Sequence, residues 1–131
     1  MSAPKNKGYR HLPAFILLAA ATAPGHGADL LARIRSLLPE ANLDSGAVYR
    51  TLNALERQGE LAATWDTTSP GPARKIYRLT PSGWERLDYW RADIAHRLTL
   101  LGRFLEAARD VQAARPAPTT DAAPNSEPVR T

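Results

Sequence analysis

Apolar and polar positions fall into a different pattern in each stretch of the chain, and each pattern predicts an element. Leu12 to Thr22 reads L-P-A-F-I-L-L-A-A-A-T. A run apolar on all sides predicts a buried helix, with Pro13 in its first turn, facing both a core and a second protomer. Pro24 to Gly27 is a Pro-Gly-His-Gly turn. Leu30, Ile34, Leu37 and Leu38 then recur at helical spacing, which predicts a second helix to about Leu38 with those residues inward and Arg33 and Arg35 outside. Pro39 to Leu43 forms the next turn. Val48, Leu52 and Leu55 share one face of a third helix. Asp44 suits its N-cap, Leu43 and Val48 a hydrophobic staple, and Gly59 a left-handed end. Leu61 to Asp66 and Ala73 to Leu79 read as strands around a Thr67–Pro72 turn, with Lys75, Tyr77 and Leu79 on one side and Arg74, Ile76 and Arg78 on the other.

Thr80 and Pro81 are suited to open a last helix, with Leu79 and Trp84 as a second staple. Along it Leu87, Trp90, Ile94, Leu98, Leu101, Leu105 and Ala108 make one stripe about six turns long. Asp93 and Arg97 add an outer i,i+4 pair. A domain this small cannot bury so long a stripe alone, so self-association through a coiled-coil-like seam is expected, rather than a fold back onto the same protomer. The fold class is mainly α with a small β-hairpin: a winged helix-turn-helix plus a long C-terminal dimerisation helix. Its expected parts are a flexible basic arm at 1–10, a DNA-binding domain at 11–80, the dimerisation helix at 81–111 and a disordered tail at 112–131, rich in Ala, Pro, Thr and Ser.

Candidate chemistry concentrates on the polar front of the third helix. It carries Gly46, Arg50, Asn53 and Arg57, with Tyr49 on the flank. Arginine and asparagine pair with guanine and adenine edges, a glycine permits close backbone approach, and helix N-termini favour phosphate. Ser45, Gly46, Tyr49, Arg50 and Asn53 are therefore the expected groove residues. Two readings of Tyr49 stand side by side, a hydroxyl on a phosphate and a half-buried packing residue. Arg57, Arg74 and Lys75 are expected on phosphates, where they position without reading sequence. Trp65 and Tyr77 read as wing and core packing rather than as stacking residues for DNA. His26 reads as a capping or turn histidine, with no carboxylate or nucleophile recognisably placed to work with it.

Charge placement agrees with a nucleic-acid partner. The chain of 131 residues has a formal net charge of +4. Residues 1–78 hold ten Lys/Arg against six Asp/Glu, while residues 79–131 hold seven of each, so the excess lies with the proposed DNA-binding half. Lys5, Lys7 and Arg10 give the N-terminus two readings, an arm for DNA backbone or minor groove and a merely solvated terminus. The arm and the apolar run imitate a secretory signal, but Pro24 directly follows the would-be cleavage site, and cutting would remove the first helix. The run is also too short to span a bilayer. A cytoplasmic location is expected. With no cysteine, thiol catalysis and disulfides are excluded. No phosphate loop, catalytic triad or metal-ligand spacing occurs, so neither enzyme activity nor a cofactor is expected.

The stretches V-Y-R-T-L-N-A-L-E-R-Q-G-E-L and W-D-T-T-S-P-G-P-A-R-K-I-Y-R-L-T-P-S-G resemble the PadR family of bacterial transcription regulators. The resemblance runs from about Leu12 to Asp110. The Trp65-Asp66 pair and the Gly71-Pro72-Ala73-Arg74 wing are similar to the subgroup of poly-β-hydroxybutyrate-responsive repressors. Where the family often has His-Gly-Tyr-Glu-Leu, this chain has His26-Gly27-Ala28-Asp29-Leu30, a departure that bears on packing near a dimer pocket. The resemblance implies a homodimeric, sequence-specific repressor on double-stranded operator DNA. It also implies a site for flat aromatic or apolar effectors where dimer helices and first helices meet. Phe15, Ile16, Trp84, Tyr89 and Trp90 are the side chains this chain offers there, with ordinary seam packing as the other reading. The alternative function, a winged-helix protein-interaction module without DNA, is opposed by the basic residues on the third helix and wing.

Overall fold

The computed structural model describes residues 10–68 and 70–117. Lys5 and Lys7 of the expected arm and most of the expected tail lie outside the described residues. The chain divides into two compact units, residues 1–93 and 94–131.

The first unit contains α1 (Leu12–Thr22), β1 (Gly25–His26), α2 (Gly27–Leu37), α3 (Ser45–Arg57), β2 (Leu61–Asp66), β3 (Arg74–Leu79) and the start of α4 (Pro81–Ala114). Its core is one cluster in which Ile16, Leu17, Leu30, Ile34, Val48 and Leu52 are fully buried, with Leu61 and Tyr77 closing it from the sheet. Contact of apolar side chains from α1, α2 and α3 removes most of their surface from water, the dominant favourable term in folding. The apolar character of α1 has this cause, although Leu18 remains 41% exposed. The two strands of the hairpin pair antiparallel from Leu61↔Leu79 to Asp66↔Arg74.

Several expectations are corrected. The Pro-Gly-His-Gly turn contributes a third strand: β1 pairs antiparallel with β3 through Gly25↔Tyr77 and His26↔Ile76, giving the order β1-β3-β2. Leu37 is 54% exposed rather than inward. The helix ends there, and Leu38 turns out of helical geometry to pack on the core in its place. Arg33 is not available outside. Its guanidinium donates to the carbonyls of Ala19 (3.0 Å) and Ala23, groups at the end of α1 that have no partner within that helix.

The passage from α3 into the sheet follows the expected signals. Asp44 holds the N-cap position, although its side chain makes no capping bond, and Gly59 has φ +80°. Thr80 caps α4: its hydroxyl accepts from the Gly83 amide (3.0 Å) and donates to the Gly59 carbonyl (2.6 Å). Gly83 is needed here, since a Cβ would lie 2.1 Å from the Glu60 carbonyl oxygen and 2.5 Å from Leu79 Cδ1. Glu60 is buried, its carboxylate accepting from Arg86 Nε at 3.3 Å.

In the second unit α4 continues from Ile94 to Ala114, past residue 111 where the periodicity ended it. Leu98, Leu101, Phe104, Leu105 and Val111 there are each at least 60% exposed. Among the described residues no helix is long and apolar enough to cross a membrane.

Candidate nucleic-acid interface

The apolar face of α3, Ala47, Val48, Leu52 and Leu55, is buried, which fixes which side chains point outward. Ser45, Tyr49, Arg50, Asn53 and Arg57 are exposed and Gly46 is half-buried. The structure therefore brings the expected groove residues onto one open face. Arg50 leans back toward the helix start, with Nη2 3.5 Å from Asp44 Oδ2 and 68% of its side chain exposed. An exposed pair of this kind contributes little, so Arg50 can leave Asp44 for a stronger partner at small cost.

The wing stands beside this face. Its cations differ in state. Lys75 Nζ donates to Glu56 Oε1 at 3.0 Å and lies 5.6 Å from the Trp65 ring centroid. The hydrogen bond it donates to Glu56 raises the Lys75 pKa above its ordinary value. Lys75 therefore braces the wing against α3, whereas Arg74 is exposed and makes no ion pair among the described residues. Trp65 corrects the expectation of packing: it is 63% exposed on β2. Tyr77 is buried as expected, and that burial raises its hydroxyl pKa.

His26 joins three elements. It is the N-cap of α2, with a reciprocal box in which its backbone amide donates to Asp29 Oδ2 at 2.9 Å. Its ring places Nδ1 3.2 Å from Asp29 and Nε2 2.9 Å from Asp66 Oδ2 at the end of β2. The capping role agrees with the sequence reading. The absence of a working carboxylate does not, because the fold supplies Asp66 from forty residues away. Carboxylates only accept, so both ring contacts are donated hydrogen bonds when the imidazole carries both protons. Asp66 is also held by the Thr68 hydroxyl (2.6 Å) and amide (3.0 Å). These bonds, Thr68 first and His26 after, hold its carboxyl at about 2.

Between α2, α3 and the wing lies an open cleft of about 310 Å³ whose lining includes Gly27, Ala28, Tyr49, Trp65, Arg74 and Tyr77. Ala28, where the resembled family often has an aromatic, lines this cleft. Tyr49 packs over Gly27 so closely that a Cβ there would fall 2.5 Å from its ring, yet the residue stays 42% exposed. Among the described residues no group of three or more acidic or histidine side chains is placed to hold a metal.

The expected effector residues are scattered in state. Ile16 is completely buried in the core and opens to no site. Phe15 packs against the core, and Trp84 and Tyr89 are about half exposed. Trp90 packs edge-on to His11 (6.0 Å) and Tyr89 (5.9 Å) and lines a shallow depression with Pro13, Thr51 and Gln58. Leu87 and Trp90 of the expected seam are thus partly covered by their own protomer.

The family model described as the transcriptional regulator PadR-like family matches residues 16–89. A solved structure of a conserved protein of unknown function, described as a potential transcriptional factor, is 30% identical with TM-score 0.70, over 86% of this chain and 99% of that one. A PadR family transcriptional regulator from Eggerthella lenta DSM 2243 is 28% identical with TM-score 0.61, over 73% and 82%. A PadR family transcription regulator from Clostridium difficile R20291, at 20% identity and TM-score 0.63 over 72% and 98%, shares the fold. No curated protein matches the chain.

Proposed function

The chain belongs to the PadR-like family of transcriptional regulators, and on that premise we propose that it is a cytoplasmic repressor that binds a pseudo-palindromic operator as a homodimer. The observation that carries this reading is the open face of α3, where Ser45, Tyr49, Arg50, Asn53 and Arg57 lie exposed, with Tyr49 lining one cleft with Arg74 of the wing. Arg50 and Asn53 have the donor and acceptor geometry for base edges. Arg57 and Arg74 supply phosphate contacts that position the domain, with Lys75 bracing the wing behind them.

Dimerisation is supported by the apolar residues of α4 from Leu98 onward, which remain open to solvent in the protomer. Exposed apolar surface of this extent calls for a partner, and a second copy of the same helix supplies a matching stripe. A two-fold dimer presents two recognition helices, hence half-sites about one helical turn or a multiple apart. Control by a flat aromatic effector is supported by the half-exposed Tyr89 next to Trp90. The testing experiment is a footprint of the purified protein on the DNA upstream of its own gene, repeated with planar aromatic compounds. Two protected half-sites related by symmetry are expected, with protection lost on adding an effector. Protection without symmetry would remove the dimeric operator from the reading.

A further inference from the structure

We propose that His26 is a pH-dependent latch that positions the wing: its imidazolium ties Asp66 of β2 to Asp29 of α2, and loss of the proton loosens the tie. The backbone of His26 lies on β1, paired with Ile76 of β3, while its ring reaches across β3 to Asp66 at the end of β2. One side chain thus spans the sheet and meets the start of α2. Nδ1 stands 3.2 Å from Asp29 Oδ2 and Nε2 2.9 Å from Asp66 Oδ2, with the ring 20% exposed and the Asp66 side chain 12%. Only the doubly protonated ring has an N–H for each carboxylate. A neutral imidazole has one, so one bond must be given up, and the other loses its ion-pair attraction.

The groups around the ring leave it as the member that changes charge. On α2, the His26 amide holds Asp29 below the ordinary carboxylate value, and the Arg33 guanidinium stands beside Asp29 at Gly25. On β2, the bonds from Thr68 and His26 hold Asp66 at about 2. The cleft that His26 lines is shared with Tyr49 of α3 and with Arg74, Lys75 and Tyr77 of β3. The bond to Glu56 holds Lys75 above its ordinary value, and burial does the same for Tyr77. Between about pH 5 and pH 8, where imidazoles gain or lose their proton, both carboxylates therefore remain anions. Asp66 pairs with Arg74 in the strand register, so the latch holds the strand end that presents an exposed cation of the wing. Fixing that end before a duplex arrives removes part of the cost of ordering it. A bound state that favours the closed latch takes up the proton, so affinity for DNA rises as pH falls. The effect on DNA rests on the regulator reading above, whereas the tie itself is readable without DNA.

The test titrates the full chain at constant ionic strength from about pH 8 to about pH 5. By NMR, the Thr68 amide, which donates to Asp66 at 3.0 Å, is expected to shift together with the His26 ring and to stay still in His26→Gln. By anisotropy, wild-type affinity for the duplex upstream of its own gene is expected to rise roughly fivefold on acidification, the difference between a charged and a neutral hydrogen bond. His26→Gln offers Asp66 a donor at every pH and should lose most of that rise, although His11 and His96 are still present. Asp66→Asn should lose it as well, which separates a latch from simple attraction of an imidazolium to phosphate. This arm decides the matter if His26→Gln misfolds. Equal rises in the wild type and His26→Gln, or a full rise in Asp66→Asn, overturn the proposal while selective wild-type binding leaves the regulator reading standing. A wild-type protein that selects no duplex overturns that reading, and the Thr68 amide then decides the latch alone: a resonance indifferent to the His26 titration overturns it.

Discussion

At the scale of single residues, small groups and short hydrogen bonds decide the geometry. Gly83 lets α4 pass against the Glu60 carbonyl, and Gly83→Ala should cost roughly 1–3 kcal/mol or more through overpacking. A melting temperature unchanged by that substitution would contradict the packing at this corner. Asp66 has its ordinary carboxyl value of 3.8 lowered to about 2 in the fold. A carboxylate depressed by folding stabilises the protein above its unfolded pKa and loses that contribution as pH falls through the folded one. The window therefore runs from about pH 4 down to about pH 2. Asp66→Asn should flatten the fall in denaturation midpoint across it, and equal slopes for both proteins would show that the Asp66 bonds contribute nothing. On the open face of α3, Arg50→Ala should cost roughly 1–3 kcal/mol and alter the ranking of operator variants at one base position. An unchanged ranking in competition assays would take Arg50 out of base readout.

At the scale of elements, α3 and the hairpin were legible because their signals are local. Val48, Leu52 and Leu55 repeat at helical spacing between a cap and a terminating glycine, and the side opposite them had to be the open one. β1 was not legible, since two residues carry no period and the pairing partner lies some fifty positions later. Arg33 and His26 escaped for a related reason: their partners at Ala19, Ala23 and Asp66 are set by how α1 and the wing pack. Trp65 has strand propensity, but propensity does not say whether anything covers the ring. For α4, the exposed set of Leu98, Leu101, Phe104 and Leu105 is wider than the periodic stripe, since Phe104 flanks it. Leu98→Glu with Leu101→Glu would bury charge in a seam at a cost of roughly several kcal/mol. Light scattering should then report a monomer where the unmutated chain is a dimer. A monomeric unmutated protein at micromolar concentration would contradict the seam.

At the scale of the whole molecule, the positive excess lies in residues 1–78, which contain α3 and the wing, and the remaining chain is neutral. That asymmetry suits a polyanion bound by one region and assembly through another. It also gives the two functions different signatures. Phosphate contacts weaken steeply with salt, whereas an apolar seam does not depend on released counterions. The most direct measurement is a titration of the wild-type protein, by anisotropy, against its own upstream duplex and a shuffled duplex of equal composition at several salt concentrations. A dimeric reader of an operator predicts preference for the upstream duplex by a factor of about 10³ or more, with log Kd rising several-fold faster than log salt. Equal affinity for the two duplexes, or no binding to either at low salt, would contradict it.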